Sequence, residues 1–290
     1  MMFVERTLLF GCKGESLVGV VTDPAATPRS GVLIIVGGPQ YRAGSHRQFV
    51  LLARQMAENG LACMRFDNRG MGDSMGEARA FEVIDDDIAA AVDAFMDAVP
   101  TLEKLVLWGL CGGASAAAAY APCDSRVSGL VLLNPWVRTE ETAARTYLKH
   151  YYAQRLLDLS FWKRLVGGQV GVFRAFGGFV STFRRTRIRS AKSNSPVSGG
   201  KQTETVSLYA RILKGVGLPG MRTVIILSGR DYVAREFEDV VKASPEFSAL
   251  ISEGSIKMLH FPDVDHTFSN AVARRQLGKA TCDWVEALNN

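Results

Sequence analysis

A cysteine lies at the centre of a glycine-rich turn, in a position suited to nucleophilic chemistry. Cys111 belongs to residues 104–121, KLVLWGLCGGASAAAAYA, in which strand-forming apolar residues precede it and helix-forming alanines follow. A tight strand–turn–helix bend holds its central residue in a strained conformation and requires neighbours with almost no side chain, as Gly109 and Gly113 are. The pattern predicts that Cys111 is a nucleophile where serine is more usual. The alternative is a small buried cysteine.

A cysteine nucleophile needs a base that takes its proton and a third group that orients the base. Asp231, in SGRD, follows a predicted buried strand, and His266, in DHTF, follows the last predicted strand. We predict that His266 is the general base and acid, and that Asp231 orients it and stabilises the imidazolium. The alternative for Asp231 is a turn carboxylate. Asp263 and Asp265 are weaker candidates because they lie beside the histidine in sequence.

A second motif, GDSMG around Ser74, also fits the G-x-S-x-G pattern of serine nucleophiles. The preceding strand is predicted to end at Asp67, and helical periodicity resumes only near Ile84. This spacing favours a turn in which glycines adopt positive φ angles, so Ser74 is the less favoured nucleophile.

The remaining histidines and cysteines receive weaker assignments. His46 is predicted either to line the pocket or to be a solvated loop residue, and His260 is expected in the core. Packing roles are predicted for most of the other cysteines, namely Cys63, Cys123 and Cys282, whereas Cys12 is either packed or exposed.

Two N–H groups aimed at one point are needed to stabilise an oxyanion. Gly112, directly after Cys111, supplies one from the helix N-terminus, whose dipole also favours a thiolate. The second is expected from the loop after the strand at 31–36. Pro39 has no N–H, so Gln40 is the first choice and Gly38 the second.

Strands alternate with helices along most of the chain, which predicts an α/β protein with a mostly parallel sheet and helices on both faces. We expect eight strands: 3–12 and 15–22 as a hairpin, then 31–36, 61–67, the strand before Cys111, 127–133, 223–227 and 256–261. The predicted helices are 47–59, 84–99, about 235–250, and 269–288. The core is expected at 1–136 and 220–290, with an inserted lid at 137–219.

The charge distribution is uneven. The net charge is +5, but residues 138–201 carry 13 Lys/Arg against 3 Asp/Glu, so the rest of the chain has a balance of −5. No run of about 18 apolar residues is present, so no transmembrane helix is expected. The five cysteines are odd in number and widely spaced, and no C-x-x-C pair indicates zinc or a redox motif. A reducing cytoplasm therefore fits best, and no metal site is predicted. No nucleotide-binding loop or other cofactor motif is found.

Several stretches together resemble the α/β-hydrolase superfamily over nearly the whole chain. More narrowly, GGPQYRAGSHRQF, DNRGMGDS, GLCGGASA and DHTFS resemble the exosortase A system-associated hydrolase type 1 group. The resemblance implies an eight-stranded α/β-hydrolase fold with a lid, and acyl transfer or hydrolysis in an exopolysaccharide setting. The chain departs from the general superfamily in carrying Cys111 instead of serine, which argues against ordinary lipase or esterase activity.

A thiolate reacts readily with activated acyl groups, above all thioesters. We therefore expect a thioesterase or acyltransferase whose substrate is acyl-CoA or an acyl carrier protein, both strongly anionic. The basic segment, including Arg184, Arg185 and Arg187, would attract them. The alternatives for these arginines are a solvated face, or a contact with nucleic acid or membrane. A small acyl thioester is preferred to a nucleic-acid partner, and no stable membrane insertion is expected.

Two other functions remain open from the sequence. The first is hydrolysis of an ester, lactone or peptide bond. The second is a non-catalytic pseudo-hydrolase that acts as a binding module, against which the intact cysteine, aspartate and histidine argue.

Overall fold

The computed structural model describes residues 3–38, 40–137 and 207–288, which all belong to one compact unit. Within them, eight strands form one sheet in the order β1-β2-β4-β3-β5-β6-β7-β8. β1 and β2 are an antiparallel hairpin and β2 is antiparallel to β4, whereas all pairs from β4 to β8 are parallel. The strands are β1 Phe3–Cys12, β2 Glu15–Pro24, β3 Ser30–Ile35, β4 Ala62–Phe66, β5 Lys104–Leu110, β6 Val127–Leu133, β7 Arg222–Ser228 and β8 Ile256–Phe261.

Seven α-helices, numbered here over the described residues, cover the two faces of the sheet. They are α1 Gln48–Glu58, α2 Asp85–Ala98, α3 Gly112–Tyr120, α4 Leu208–Val216, α5 Tyr232–Ala243, α6 Pro245–Ser252 and α7 Ala271–Ala287. α1 and α7 contribute buried side chains to one core cluster, and α2 to α6 contribute to the other. The predicted α/β architecture, with eight strands and helices on both faces, is confirmed.

The central strand β3 shows why the sequence pattern there is continuously apolar. Leu33 and Ile35 belong to the core cluster on one face, and Val32 and Ile34 to the cluster on the other. Successive side chains of a strand point to opposite faces, so a strand covered on both sides must be apolar at every position. All four side chains are completely buried.

One predicted helix is two helices in the structure. We expected a single helix at about 235–250, but α5 ends before Ser244 and α6 begins at Pro245. Ser244 caps the second helix by accepting a hydrogen bond from the N–H of Phe247. Proline has no N–H to donate and suits the first turn of a helix, so the Ser-Pro pair ends one helix and starts the next.

Two predictions about packing are wrong. His260 is exposed rather than in the core. It lies on β8, which ends the sheet and pairs only with β7. Cys123 is exposed as well, in the short turn that follows α3, whereas Cys12, Cys63 and Cys282 are buried.

Helix α4 lies inside the range 137–219 that the sequence assigned to a lid. Its residues Ile212 and Val216 are fully buried in the core, and a side chain at Gly215 would collide with the backbone of Ala118 in α3. This helix is therefore part of the layer that covers the sheet. Residues 138–206, the greater part of the predicted lid, lie outside the described residues.

None of the helices in the described ranges combines the length and the apolar character needed to cross a membrane.

Candidate active site

Cys111 occupies the bend between β5 and α3, with φ 56° and ψ −121°. A side chain at Gly109 would overlap the backbone of Gly113 and Ala114, and one at Gly113 would overlap the carbonyl of Ile35. Cys111 is partly exposed, while every residue of α3 behind it is buried. The strand–turn–helix geometry predicted from the sequence is therefore present, and both glycines are needed for it.

The bend is anchored by backbone hydrogen bonds to the neighbouring strand. The N–H of Cys111 donates to the carbonyl of Leu133 (2.9 Å), and the carbonyl of Cys111 accepts from the N–H of Trp136 (3.4 Å). The hydroxyl of Ser115, one helical turn later, donates to the carbonyl of Trp136 (2.5 Å). These bonds fix the cysteine against the end of β6, at the N-terminus of a helix whose dipole favours a negative sulfur.

Asp231 and His266 meet at the same edge of the sheet. Asp231 follows β7, and its carboxylate accepts hydrogen bonds from the N–H groups of Val233 (3.1 Å) and Ala234 (3.2 Å) at the start of α5. Its Oδ2 lies 2.6 Å from Nδ1 of His266, in the loop between β8 and α7. The imidazole and Cys111 line the same cavity, and Nε2 is the ring nitrogen that does not face Asp231.

The surroundings of His266 favour its charged form. Burial lowers the pKa of the imidazole, but the influence of Asp231 and, after it, of Cys111 outweighs burial and raises the pKa to about 10. Asp231 is 9% exposed, so its carboxylate acts on the ring with little solvent between them. The arrangement supports an imidazolium between a carboxylate and a sulfur.

A cavity of about 320 Å³ opens beside the cysteine. The described residues that line it are Gly37, Gly38, Gln40, Phe49, Phe81, Leu110, Cys111, Gly112, Trp136 and His266. Larger cavities elsewhere contain neither Cys111 nor His266, so size alone does not identify this site. Most of the side chains around the sulfur are apolar or aromatic, which suits an uncharged acyl group.

The aromatic residues of this cavity were not predicted from the sequence. Trp136 follows β6, and the carboxyl ends of parallel strands share one edge, so its position offered a usable signal. Phe81 lies in a short 3-10 turn before α2, and its ring is close enough to Gly112 to obstruct any side chain there. Phe49 belongs to α1 and packs edge-on against Trp108. No local pattern marks these two phenylalanines as cavity residues.

The two candidates for the second oxyanion donor differ in their surroundings. The N–H of Gln40 donates to the carbonyl of Gly38 (2.8 Å), so the preferred candidate already has an acceptor. Gly38 has a φ of 69°, a left-handed conformation that glycine adopts easily. Both residues and Gly112 line the cavity at Cys111.

The side chain of Ser74 is engaged in two hydrogen bonds that connect parts of the fold. Its hydroxyl accepts a hydrogen bond from the N–H of Val18 (2.9 Å) and donates to the carbonyl of Asp67 (2.7 Å). The serine thus joins β2 to the loop after β4, in a turn of the kind that its spacing indicated.

The residues predicted to bind substrate are not among the described lining of the cavity. His46 is exposed in a short 3-10 turn before α1. Arg184, Arg185 and Arg187 lie outside the described residues. Within the described ranges, no group of three or more His, Cys, Asp or Glu side chains is arranged to hold a metal ion.

The parallel sheet, the bend at Cys111 and the histidine after β8 define a class of protein: the chain is a member of the α/β-hydrolase superfamily. Within that superfamily it belongs to the Hydrolase_4 family, described as "Serine aminopeptidase, S33", whose model matches residues 27–201, more than half of the chain. A cysteine stands at the bend of this chain, although the family description refers to serine.

Solved structures share the fold at low sequence identity. An esterase of Pyrococcus furiosus, Pf2001, has a TM-score of 0.64 and 14% identity, with 98% of this chain and 93% of that chain covered. A dienelactone hydrolase of Anabaena variabilis has a TM-score of 0.60 and 13% identity, with 99% of both chains covered. At these identities the similarity establishes the fold alone.

One curated relative matches over a short stretch. A polyketide transferase, grgF, of Penicillium sp. is 31% identical over 94 residues, which are 30% of this chain. The match spans only 31% of that relative's length.

Proposed function

We propose that this protein is a hydrolase or acyltransferase that attacks activated acyl groups with Cys111 and passes through a covalent acyl-enzyme. One observation carries the proposal: the imidazole of His266 is hydrogen-bonded to the carboxylate of Asp231, and the same ring lines one cavity with Cys111, whose side chain also acts to raise the pKa of the ring. This is the arrangement that activates a cysteine or serine nucleophile in unrelated folds.

In the first half of the reaction, the sulfur of Cys111 attacks the carbonyl carbon of an acyl thioester, and the carbonyl oxygen becomes an oxyanion. The oxyanion then collapses, the bond to the leaving thiolate breaks, and the imidazolium of His266 gives its proton to that thiolate. The products are a free thiol and an acyl group held on Cys111 as a new thioester. Asp231 keeps the proton-bearing Nδ1 of the ring in place throughout.

In the second half, Nε2 of the now neutral His266 takes a proton from water or from an acceptor alcohol or amine, whose oxygen or nitrogen attacks the acyl-enzyme. The carbon–sulfur bond breaks, and the thiolate of Cys111 is restored beside the imidazolium. Because the acyl-enzyme is itself a thioester, it retains enough energy to acylate an alcohol or amine. Hydrolysis and transfer therefore differ only in which acceptor reaches the site.

The two groups that donate hydrogen bonds to the oxyanion are assigned as the N–H of Gly112 and the N–H of Gly38, the latter in preference to that of Gln40. The bond from the Gln40 N–H to the Gly38 carbonyl is the reason for reversing the order expected from the sequence. Donors already in place before the charge develops contribute about 3 to 4 kcal/mol each in related sites.

The substrate class rests on cysteine chemistry and on charge. The aromatic cavity suits the acyl chain, and the +10 segment at 138–201, proposed as a lid, would attract the anionic CoA or acyl carrier protein. The matched relative named as a polyketide transferase favours transfer of an acyl-type group. The sequence resemblance to exosortase-associated hydrolases supports a role in exopolysaccharide metabolism, and the free cysteines favour the cytoplasm.

Intact-mass spectrometry after incubation with a panel of acyl-CoAs tests the proposal. The wild-type protein should gain the mass of one acyl group, and Cys111→Ala should gain none and lose turnover. Ser74→Ala is the matched control, because it changes the other G-x-S-x-G motif and should still be acylated. Full turnover in Cys111→Ala would refute the proposed nucleophile.

Two further assays on the wild-type protein distinguish the alternative functions. Faster cleavage of p-nitrophenyl esters than of acyl-CoAs would support a carboxylesterase or lactonase, in line with the names of the structural neighbours. If iodoacetamide labelled Cys111 no faster than a model thiol at pH 7, a non-catalytic binding module would be favoured.

A further inference from the structure

A buried asparagine connects the loop that carries His266 to the ends of two strands. Asn134, directly after β6, is completely buried. Its Nδ2 donates to the carbonyl of His266 (3.1 Å) and to the hydroxyl of Ser228 at the end of β7 (2.9 Å). Its Oδ1 accepts from the N–H of Ser228 (2.9 Å), and its own N–H donates to the carbonyl of Ile226 (2.9 Å).

The chemistry of an amide side chain matches these partners. Both hydrogens of Nδ2 have an acceptor and Oδ1 has a donor, so few other side chains of this size can satisfy all three bonds. The backbone at Asn134 also has a φ of 45°, a left-handed conformation that asparagine tolerates better than most residues. Position 134 thus combines a backbone requirement with a side-chain requirement.

In the described part of the chain, the His266 loop is also attached to the sheet at one point on either side of the histidine. The carbonyl of Val264 accepts from the N–H of Arg230 (3.0 Å), and Phe268 is buried in the core. Between these two points, the bond from Asn134 holds the backbone of His266 itself. A shift of that backbone would move the imidazole relative to both Asp231 and Cys111, which are fixed by α5 and by the bend before α3.

We propose that Asn134 is a positioning residue that fixes where the His266 imidazole lies relative to Asp231 and Cys111. The inference rests on the proposed role of His266 as the base of Cys111. Asn134 touches no reacting atom and acts only through the backbone carbonyl of His266. Misplacement of a catalytic group by about 1 Å can reduce rates about 10²-fold, so a single hydrogen bond at this point has a measurable effect.

The rate of Cys111 alkylation by iodoacetamide between pH 5.5 and 9, followed by peptide mass spectrometry, tests the proposal. Asn134→Asp has the same shape and still accepts from the Ser228 N–H, but it places an oxygen against the His266 carbonyl. Asn134→Gly removes the side chain without adding charge and permits the positive φ. Ser228→Ala is the matched control, since it removes the hydroxyl bond to Asn134 and leaves the bond to His266 intact.

We expect both Asn134 variants to alkylate at least about tenfold more slowly than wild type at pH 6, with a pH profile shifted towards that of a free thiol. Ser228→Ala should stay within about twofold of wild type, even if its melting temperature falls. A wild-type profile in Asn134→Gly would overturn the proposal, and so would an equal loss in Ser228→Ala. If Asn134→Asp does not fold, Asn134→Gly alone decides in the same way.

The alkylation rate of wild-type Cys111 distinguishes a failure of this inference from a failure of the proposed function. If wild-type Cys111 reacts no faster than a model thiol at pH 6, the proposed nucleophile itself fails. If wild-type Cys111 is activated and the Asn134 variants are equally activated, only the positioning role fails.

Discussion

Replacing Asp231 by asparagine should remove the charge that keeps His266 protonated. The carboxylate lies 2.6 Å from Nδ1 of the imidazole and caps α5 through the N–H groups of Val233 and Ala234. An asparagine has one acceptor atom where the aspartate has two. It must either turn its NH₂ group towards the ring, which forces the wrong tautomer, or towards the helix, which removes part of the cap.

The size of the effect follows from the causes of the His266 pKa. Burial is the largest and lowers the pKa, and the hydrogen bond to Asp231 is the largest of the causes that raise it to about 10. The side chain is 32% exposed, so solvent screens part of the attraction. We therefore expect the pKa of His266 to fall by about two units or more in Asp231→Asn, which corresponds to about 2.7 kcal/mol.

Nuclear magnetic resonance titration of the imidazole signals between pH 5 and 11 measures this change. The chain contains four histidines, so the spectrum of His266→Gln assigns the signal of interest. Turnover measured on the same samples should fall roughly 10²- to 10⁴-fold, as expected when a triad aspartate is neutralised.

An unchanged His266 titration in Asp231→Asn would refute the idea that Asp231 holds the charge in solution. Cys111→Ala is the matched comparison, because it removes the side chain that, after Asp231, acts to raise the pKa of the ring. It should lower the His266 pKa by less than Asp231→Asn does. The reverse order would mean that the sulfur, not the carboxylate, is the main partner of the imidazole.

Three further predictions concern stability and the second serine motif. Folding raises the His266 pKa from 6.5 to about 10, so the contribution of His266 to stability is complete below pH 6.5 and is lost as the pH rises to 10. In urea titrations, the difference in unfolding free energy between wild type and His266→Gln should therefore shrink over that range. Gly113→Ala should destabilise by about 3 kcal/mol or more, because the methyl group meets the Ile35 carbonyl, and unchanged denaturation would contradict the tight bend. Ser74→Ala should cost about 1–3 kcal/mol by leaving the Val18 N–H unpaired, with turnover per folded molecule unchanged; loss of turnover with normal stability would reopen Ser74 as a nucleophile.

Much of the fold could be predicted because its signals are local. Continuous apolar runs such as Val127–Leu133 are required by a sheet covered on both faces, and that strand has the bounds expected from the sequence. The division of the helix expected at about 235–250 into α5 and α6 also had a local signal, the Ser244-Pro245 pair. That prediction was wrong because the apolar periodicity continues across the break.

The site could be predicted only in part. Cys111, Asp231 and His266 each follow a strand, and parallel strands end at one edge, so their proximity follows from the order of elements. The engagement of the Gln40 N–H depends on the path of a loop that no periodicity specifies. The exposure of His260 depends on β8 being the last strand in the sheet, which the chain order does not state.

The sequence by itself identified the reactive side chains, namely a cysteine flanked by glycines, an aspartate and a histidine, each directly after a predicted strand. These are properties of neighbouring residues, and local backbone preferences are enough to read them. Only the tertiary structure decided that Asn134 holds the His266 carbonyl and that Phe49, Phe81 and Trp136 line the cavity beside Cys111. The physical reason is that such contacts join residues far apart in the chain, and their partners are set by how strands and helices pack.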